Sequence, residues 1–143
     1  MNRILRYLKH TPSIGLWYPK GASLDLLGYS DSDFAGSRVD RKSTSGGYHL
    51  LGRSLVSWSS KKQNSVVLST AEYIAAGACC AQILYMKQTL LDFGVKQDRI
   101  PLLCDNESVV KIAKNPVPHS RTKHIDICHH FLRDHEAKGD ISL

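Results

Sequence analysis

The chain has 143 residues, of which 42% are hydrophobic and 22% charged, with ten glycines and five prolines. That length and balance describe one folded domain and exclude disordered, collagen-like and low-complexity polymers. Lysine and arginine outnumber acids 19 to 13, a net charge of +6, and no apolar run approaches the roughly 18 residues of a membrane span, so no membrane partner is expected.

Residues 1–10 read as a short basic amphipathic helix, with Arg3, Arg6 and Lys9 interleaved among Ile4, Leu5 and Leu8 and a stop at Thr11-Pro12. No continuous apolar core of a secretory signal is present there. Residues 11–23 hold Pro12, Gly15, Pro19 and Gly21 and read as a linker. Residues 24–32 form a strand, followed by a basic polar loop to Ser43. Residues 44–51 and 55–61 flank Gly52-Arg53-Ser54 and pair as a hairpin. Ser69 opens a long helix closed by Gly94. Residues 100–105 are a short buried strand, 106–114 a helix stopped by Asn115-Pro116, 121–138 a helix closed by Gly139, and 141–143 the start of a strand. This order specifies an α/β fold, a mixed sheet flanked by helices, with a right-handed parallel crossover through the long helix.

The basic residues cluster. Arg38, Arg41, Lys42, Arg53, Lys61 and Lys62 face one acid, Asp40, within residues 38–62, and Lys111, Lys114, Arg121 and Lys123 have none within 111–124. Such clusters suit a polyanion, or form a solvated basic surface. The four cysteines, Cys79, Cys80, Cys104 and Cys128, lack any CxxC or framework spacing. They read as buried reduced thiols, which implies an intracellular, reducing compartment.

Three acids stand out by position. Asp31 ends the first strand, Asp105 ends the fourth, and the C-terminal ends of parallel strands are the usual active-site edge. Glu72 lies in the first turn of the long helix and begins the stripe Ala76, Cys79, Ile83, Met86 and Leu90, so it falls on the face that must lie on the sheet. Each has a plain structural alternative. Ser69-x-x-Glu72 fits a capping box, Asp105-Asn106 a helix cap, and Asp31 and Asp33 a turn. Three carboxylates converging on one sheet edge would instead need a hard cation such as Mg²⁺, and two such ions could hydrolyse a phosphodiester.

Residues 24–143 resemble the RNase H domain of copia-type LTR retrotransposon Pol polyproteins. The matching strings are Gly28-Tyr29-Ser30-Asp31-Ser32-Asp33-Phe34-Ala35-Gly36, Arg41-Lys42-Ser43-Thr44-Ser45-Gly46-Gly47, Trp58-Ser59-Ser60-Lys61-Lys62-Gln63, Leu68-Ser69-Thr70-Ala71-Glu72-Tyr73, Cys104-Asp105-Asn106 and His119-Ser120-Arg121-Thr122-Lys123-His124-Ile125-Asp126. Residues 1–23 look like the tail of the preceding reverse transcriptase and its linker. The resemblance implies an RNase H-like fold that cuts the RNA strand of RNA–DNA hybrids with two Mg²⁺ ions. It places Asp31, Glu72 and Asp105 on the catalytic and metal-binding acids, with Asp33 the competitor of Asp31. Ser32, Lys61, Lys62, Asn106, Arg121, Lys123 and His124 are the expected nucleic-acid contacts. Relative to the family, the chain is expected to be truncated in the last strand and before the C-terminal helix that carries a fourth acid, with weak or no activity; Asp126 is an imperfect substitute.

Two further patterns carry alternatives. His124 and Cys128 have an i, i+4 zinc-ligand spacing but no second pair beside them. Arg3-Ile4-Leu5-Arg6 spells RxLR, resembling the host-targeting string of oomycete effectors. That resemblance implies a non-enzymatic protein secreted into a plant cell, with a host plant protein as partner.

Overall fold

Alternation along the first strand decides which of its side chains meet the core. The computed structural model describes residues 2–33, 35–36, 39–63, 68–114 and 123–143, with the backbone alone at 2, 68–70, 108, 112 and 123–126. In β1 (Leu26–Asp33), Leu26, Gly28 and Ser30 are buried while Asp31 and Asp33 are exposed. β2 (Thr44–Leu51) and β3 (Ser54–Lys62) follow as the expected hairpin, and β1 pairs antiparallel with β2. β4 (Ile100–Cys104) lies parallel to β1, and β5 (Ile141–Ser142) parallel to β4. The sheet order is β3-β2-β1-β4-β5, the mixed α/β architecture read from the element order.

α2 (Leu68–Asp92) packs across β1, β2 and β4. Its expected stripe is buried at Glu72, Ala76, Cys79 and Ile83 and half-buried at Met86 and Leu90. The approach to β1 is close: a β-carbon at Gly28 would fall 2.6 Å from Ile83 Cδ1 and 3.2 Å from Cys79 Sγ. The buried surface of α2 is wider than one stripe, because α4 (Lys123–Ala137) covers a second side. There Gly77 sits against Cys128 and Tyr73 meets the His129 ring edge-on, while Ala71, Ala75 and Cys80 are buried elsewhere around the helix. α2 ends as the sequence indicates: Gly94 has φ +78° and Val95 N–H donates to the Leu90 carbonyl at 2.9 Å.

Two more contacts fix the frame. His49, buried on β2, places Nε2 3.3 Å from the Cys79 carbonyl, and burial lowers its pKa, which disfavours the charged ring. At the N-terminal end of β4, Asp140 binds Lys87 at 3.0 Å and His135 at 2.8 Å, joining α2, α4 and the approach to β5. α3 (Glu107–Lys114) buries Val109 and Ala113, one turn apart. α1 (Asn2–His10) behaves differently: Ile4, Leu5, Tyr7 and Leu8 are all exposed, so its apolar face covers nothing among the described residues.

Several expectations shift. β1 runs through Asp33, so Asp31 lies inside the strand rather than at its end. α2 begins at Leu68, which puts Glu72 in the second turn, and the side chain of Ser69, which the capping box would use, lies outside the described residues. All four cysteines are free, but Cys104 and Cys128 are only half-buried, because each lies at the border of its packed face.

The tight contact between β1 and α2 yields a direct test. Gly28→Val should destabilise the fold by about 1–3 kcal/mol, the usual range for overpacking. Urea unfolding of the two proteins measures it, as a lower midpoint with an unchanged slope.

Candidate metal centre

The site is assembled by strand register and one helical turn. Ser30 of β1 pairs with Cys104 of β4, so the next residues, Asp31 within β1 and Asp105 just past the end of β4, lie side by side, with neighbouring strands about 4.8 Å apart. Both aspartates are exposed. Glu72 reaches the same place from α2 and is buried, with 6% of its surface exposed. Ligand atoms of Glu72, Cys104 and Asp105 all lie within 4.8 Å of one another. The charge of Asp31 acts on both Glu72 and Cys104.

Burial raises the Glu72 pKa above the usual carboxylate range, the Asp105 and Asp31 charges push it further, and the Ser32 and Asn106 side chains oppose the rise. Among the described residues, neither Glu72 Oε2 nor the buried Ser32 hydroxyl has a well-formed hydrogen bond. A buried carboxylate oxygen without a partner, beside a second carboxylate, is costly for the protein alone. An oxygen-seeking divalent cation would satisfy it, so these residues fit the group that the resemblance implies.

Neighbours hold the three acids in place. Gln63, buried between β3 and α2, donates from Nε2 to the Ala71 carbonyl at 2.8 Å, which ties the turn bearing Glu72 to the sheet. Asn106 Oδ1 accepts from Val109 N–H at 3.3 Å and caps α3. The cap is therefore Asn106, and the carboxylate of Asp105 is left for other partners. Asp33 turns onto its own loop: a β-carbon at Gly36 would fall 1.8 Å from Asp33 Oδ2. Of the two competing aspartates, Asp31 is the one whose charge reaches Glu72.

The remaining expected contacts scatter. Ser32 shares its side of β1 with Gly28, toward α2, so its hydroxyl is buried beside Glu72 rather than presented to solvent. Lys61 and Lys62 are exposed at the end of β3, two strands from β1, and Lys62 pairs with Asp40 at 2.8 Å. Arg121 lies outside the described residues, as do the side chains of Lys123, His124 and Asp126 and the zinc spacing that used His124. Arg3, Ile4, Leu5 and Arg6 are exposed on α1.

Sequence reasoning missed Cys104 and Gln63 as neighbours of the acids. For Cys104 the available signal was its place one residue before Asp105 at a strand end. Its thiol pKa is raised by burial first, with the Glu72, Asp105 and Asp31 charges adding. A protonated thiol is a poor ligand for a hard cation such as Mg²⁺.

Comparison with known proteins places this geometry. No family model matches the chain. It is 42% identical over 146 residues to the retrovirus-related Pol polyprotein from transposon RE1 of Arabidopsis thaliana, a match that covers all of this chain and 10% of the polyprotein. The structure aligns with LC11-RNase H1, solved in complex with an RNA/DNA hybrid, at TM-score 0.58 and 13% identity, over 81% of this chain and 79% of that one. The chain has the RNase H-like fold and is similar in sequence to transposon Pol polyproteins. A second fold match, RNase H1 from Halobacterium salinarum, has TM-score 0.54 and 19% identity over 82% of this chain and 80% of that one. The RNase H-like domain spans about a tenth of the Pol polyproteins it matches. It is also 40% identical over 88 residues to secreted RxLR effector protein 161 of Plasmopara viticola, covering 60% of this chain and 62% of the effector. No helix among the described residues is long and apolar enough to cross a membrane.

The strain at Glu72 predicts a trade-off. With its folded pKa raised, the folded chain holds this proton at pH values where the unfolded chain has lost it. Stability therefore falls as pH rises from about 4.5 through the raised value. Glu72→Gln should flatten that fall and, at neutral pH without metal, stabilise the fold by about 1–2 kcal/mol. Thermal melts across pH check the sign, and Mg²⁺ should raise the melting temperature of the unsubstituted chain alone.

Proposed function

We propose that this domain hydrolyses the RNA strand of RNA–DNA hybrids, with Mg²⁺ held by Asp31, Glu72 and Asp105. The observation that carries this reading is the buried, unpartnered Glu72 carboxylate oxygen grouped with Asp105 beside the ends of two parallel strands. Bound there, the cation would activate water and stabilise the leaving oxygen of a phosphodiester. Glu72 forms the inner wall of the centre and, being buried, keeps that side dry. Asp31 and Asp105 form the exposed side, where a phosphate can approach. Lys61 and Lys62 offer positive charge along the β3 end, suited to positioning the backbone of a duplex without reading its sequence.

A second reading draws on the partial likeness to the effector together with the exposed Arg3-Ile4-Leu5-Arg6 string on α1. It makes the chain a secreted, non-enzymatic protein acting on a host plant protein. The two readings part at the carboxylates, which an effector does not need.

Mg²⁺-dependent cleavage of an end-labelled RNA–DNA hybrid tests the proposal. Asp31→Asn and Asp105→Asn should each lower the Mg²⁺-dependent rate by about 100-fold or more, the scale of losing one stabiliser of transition-state charge. Unchanged cleavage in both folded variants would overturn the assignment. A plant-cell phenotype that survives Asp31→Asn combined with Glu72→Gln would favour the effector reading.

A further inference from the structure

Cys104 gives this centre a donor that magnesium does not use. Its Sγ, a Glu72 carboxylate oxygen and an Asp105 carboxylate oxygen lie within 4.8 Å of one another. Glu72 is 6% exposed and its Oε2 has no partner, so the deepest member of the group carries an unused lone pair. Asp105 is exposed and Cys104 half-buried, which leaves the group open to an entering ion.

The donor set decides which ion. Thiolate selects zinc-like ions, whereas magnesium takes oxygen alone. Zinc holds sulfur at about 2.3 Å and carboxylate oxygen at about 2.0–2.2 Å, tetrahedrally, which sets its donors roughly 3.3–3.8 Å apart. Starting from donors within 4.8 Å, closure takes about 1 Å of movement, and exposed Asp105 is free to swing.

We propose that the centre has a second binding mode, in which Cys104 Sγ, Glu72 and Asp105 hold a thiophilic divalent cation of the zinc class in competition with magnesium. This mode rests on the metal-centre reading above, because Glu72 and Asp105 serve both ions. The thiol releases its proton to solvent as the sulfur–metal bond forms, and a water fills the fourth position. Two carboxylates are then withdrawn from magnesium, so zinc-class ions act on this domain as inhibitors. Cys79, Cys80 and Cys128 lie outside this group.

Cadmium is the probe, because its bond to thiolate absorbs in the near ultraviolet. Titrating the full chain with Cd²⁺ should raise that band to saturation at one ion per chain, and excess Mg²⁺ should suppress it. Cys104→Ser and Cys104→Ala should both lose the band while still binding Mn²⁺, followed by electron paramagnetic resonance. Asp105→Asn should weaken Cd²⁺ binding by about tenfold or more, since a lost ligand costs at least as much as a lost outer partner. In the unsubstituted chain, Zn²⁺ should protect Cys104 from alkylation, read by mass spectrometry, and Mg²⁺ should not. Mn²⁺ binding without a Cd²⁺ band, a band that survives loss of Cys104, or alkylation indifferent to Zn²⁺ would each overturn this mode and leave the magnesium reading standing. Failure of the unsubstituted chain to bind either Mn²⁺ or Cd²⁺ would overturn both.

Discussion

A carboxylic acid enclosed between a helix and a sheet is the constraint on which this domain turns. Glu72 lies buried on the face of α2 that covers the sheet, among apolar and small side chains. Burial and two neighbouring aspartates disfavour its charge, and one of its oxygens has no partner. A fold selected for stability alone would replace it. Keeping it makes sense if the group is completed by a cation, and the arrangement around it is consistent with that end.

The surroundings convert this strain into a site. Gly28 lets α2 approach β1 closely, which sets how far Glu72 reaches. Gln63 ties the turn before Glu72 to the sheet, and Asn106 takes over the capping of α3 that would otherwise engage Asp105. The parallel pairing of β1 with β4 then sets Asp31 beside Asp105. Each device is local, and together they bring acids from three elements to one edge. At the other end of β4, Asp140 with Lys87 and His135 joins the helices without contributing to the site.

Much of this was legible in the sequence. The element order predicts the mixed sheet, and the Glu72–Leu90 spacing predicts the face of α2 that lies on it. The position of Asp105 before an asparagine at a strand end marks both the candidate centre and the cap. The choice between Asp31 and Asp33 was less accessible. Their shared parity on β1 leaves them equivalent in the pattern, and the folding of Asp33 onto Gly36 and the reach of the Asp31 charge to Glu72 separate them. Long-range packing was also hidden. Nothing in the α2 periodicity announces that α4 covers its second side at Gly77, or that Gln63 bridges to Ala71. Cys104 reads as a core thiol by type, and its nearness to Glu72 emerges only when the helix is laid on the sheet.

The central claim is that Glu72, Asp31 and Asp105 together form a divalent-cation centre. Paramagnetic broadening tests it without depending on catalysis. Mn²⁺ added in small steps to the isotope-labelled chain should first erase the amide signals of Asp31, Ser32, Glu72, Asp105 and Asn106, leaving Asp140 and its neighbours sharp. Glu72→Gln should abolish that selectivity. Broadening that begins elsewhere, or that is unaffected by Glu72→Gln, would contradict the account.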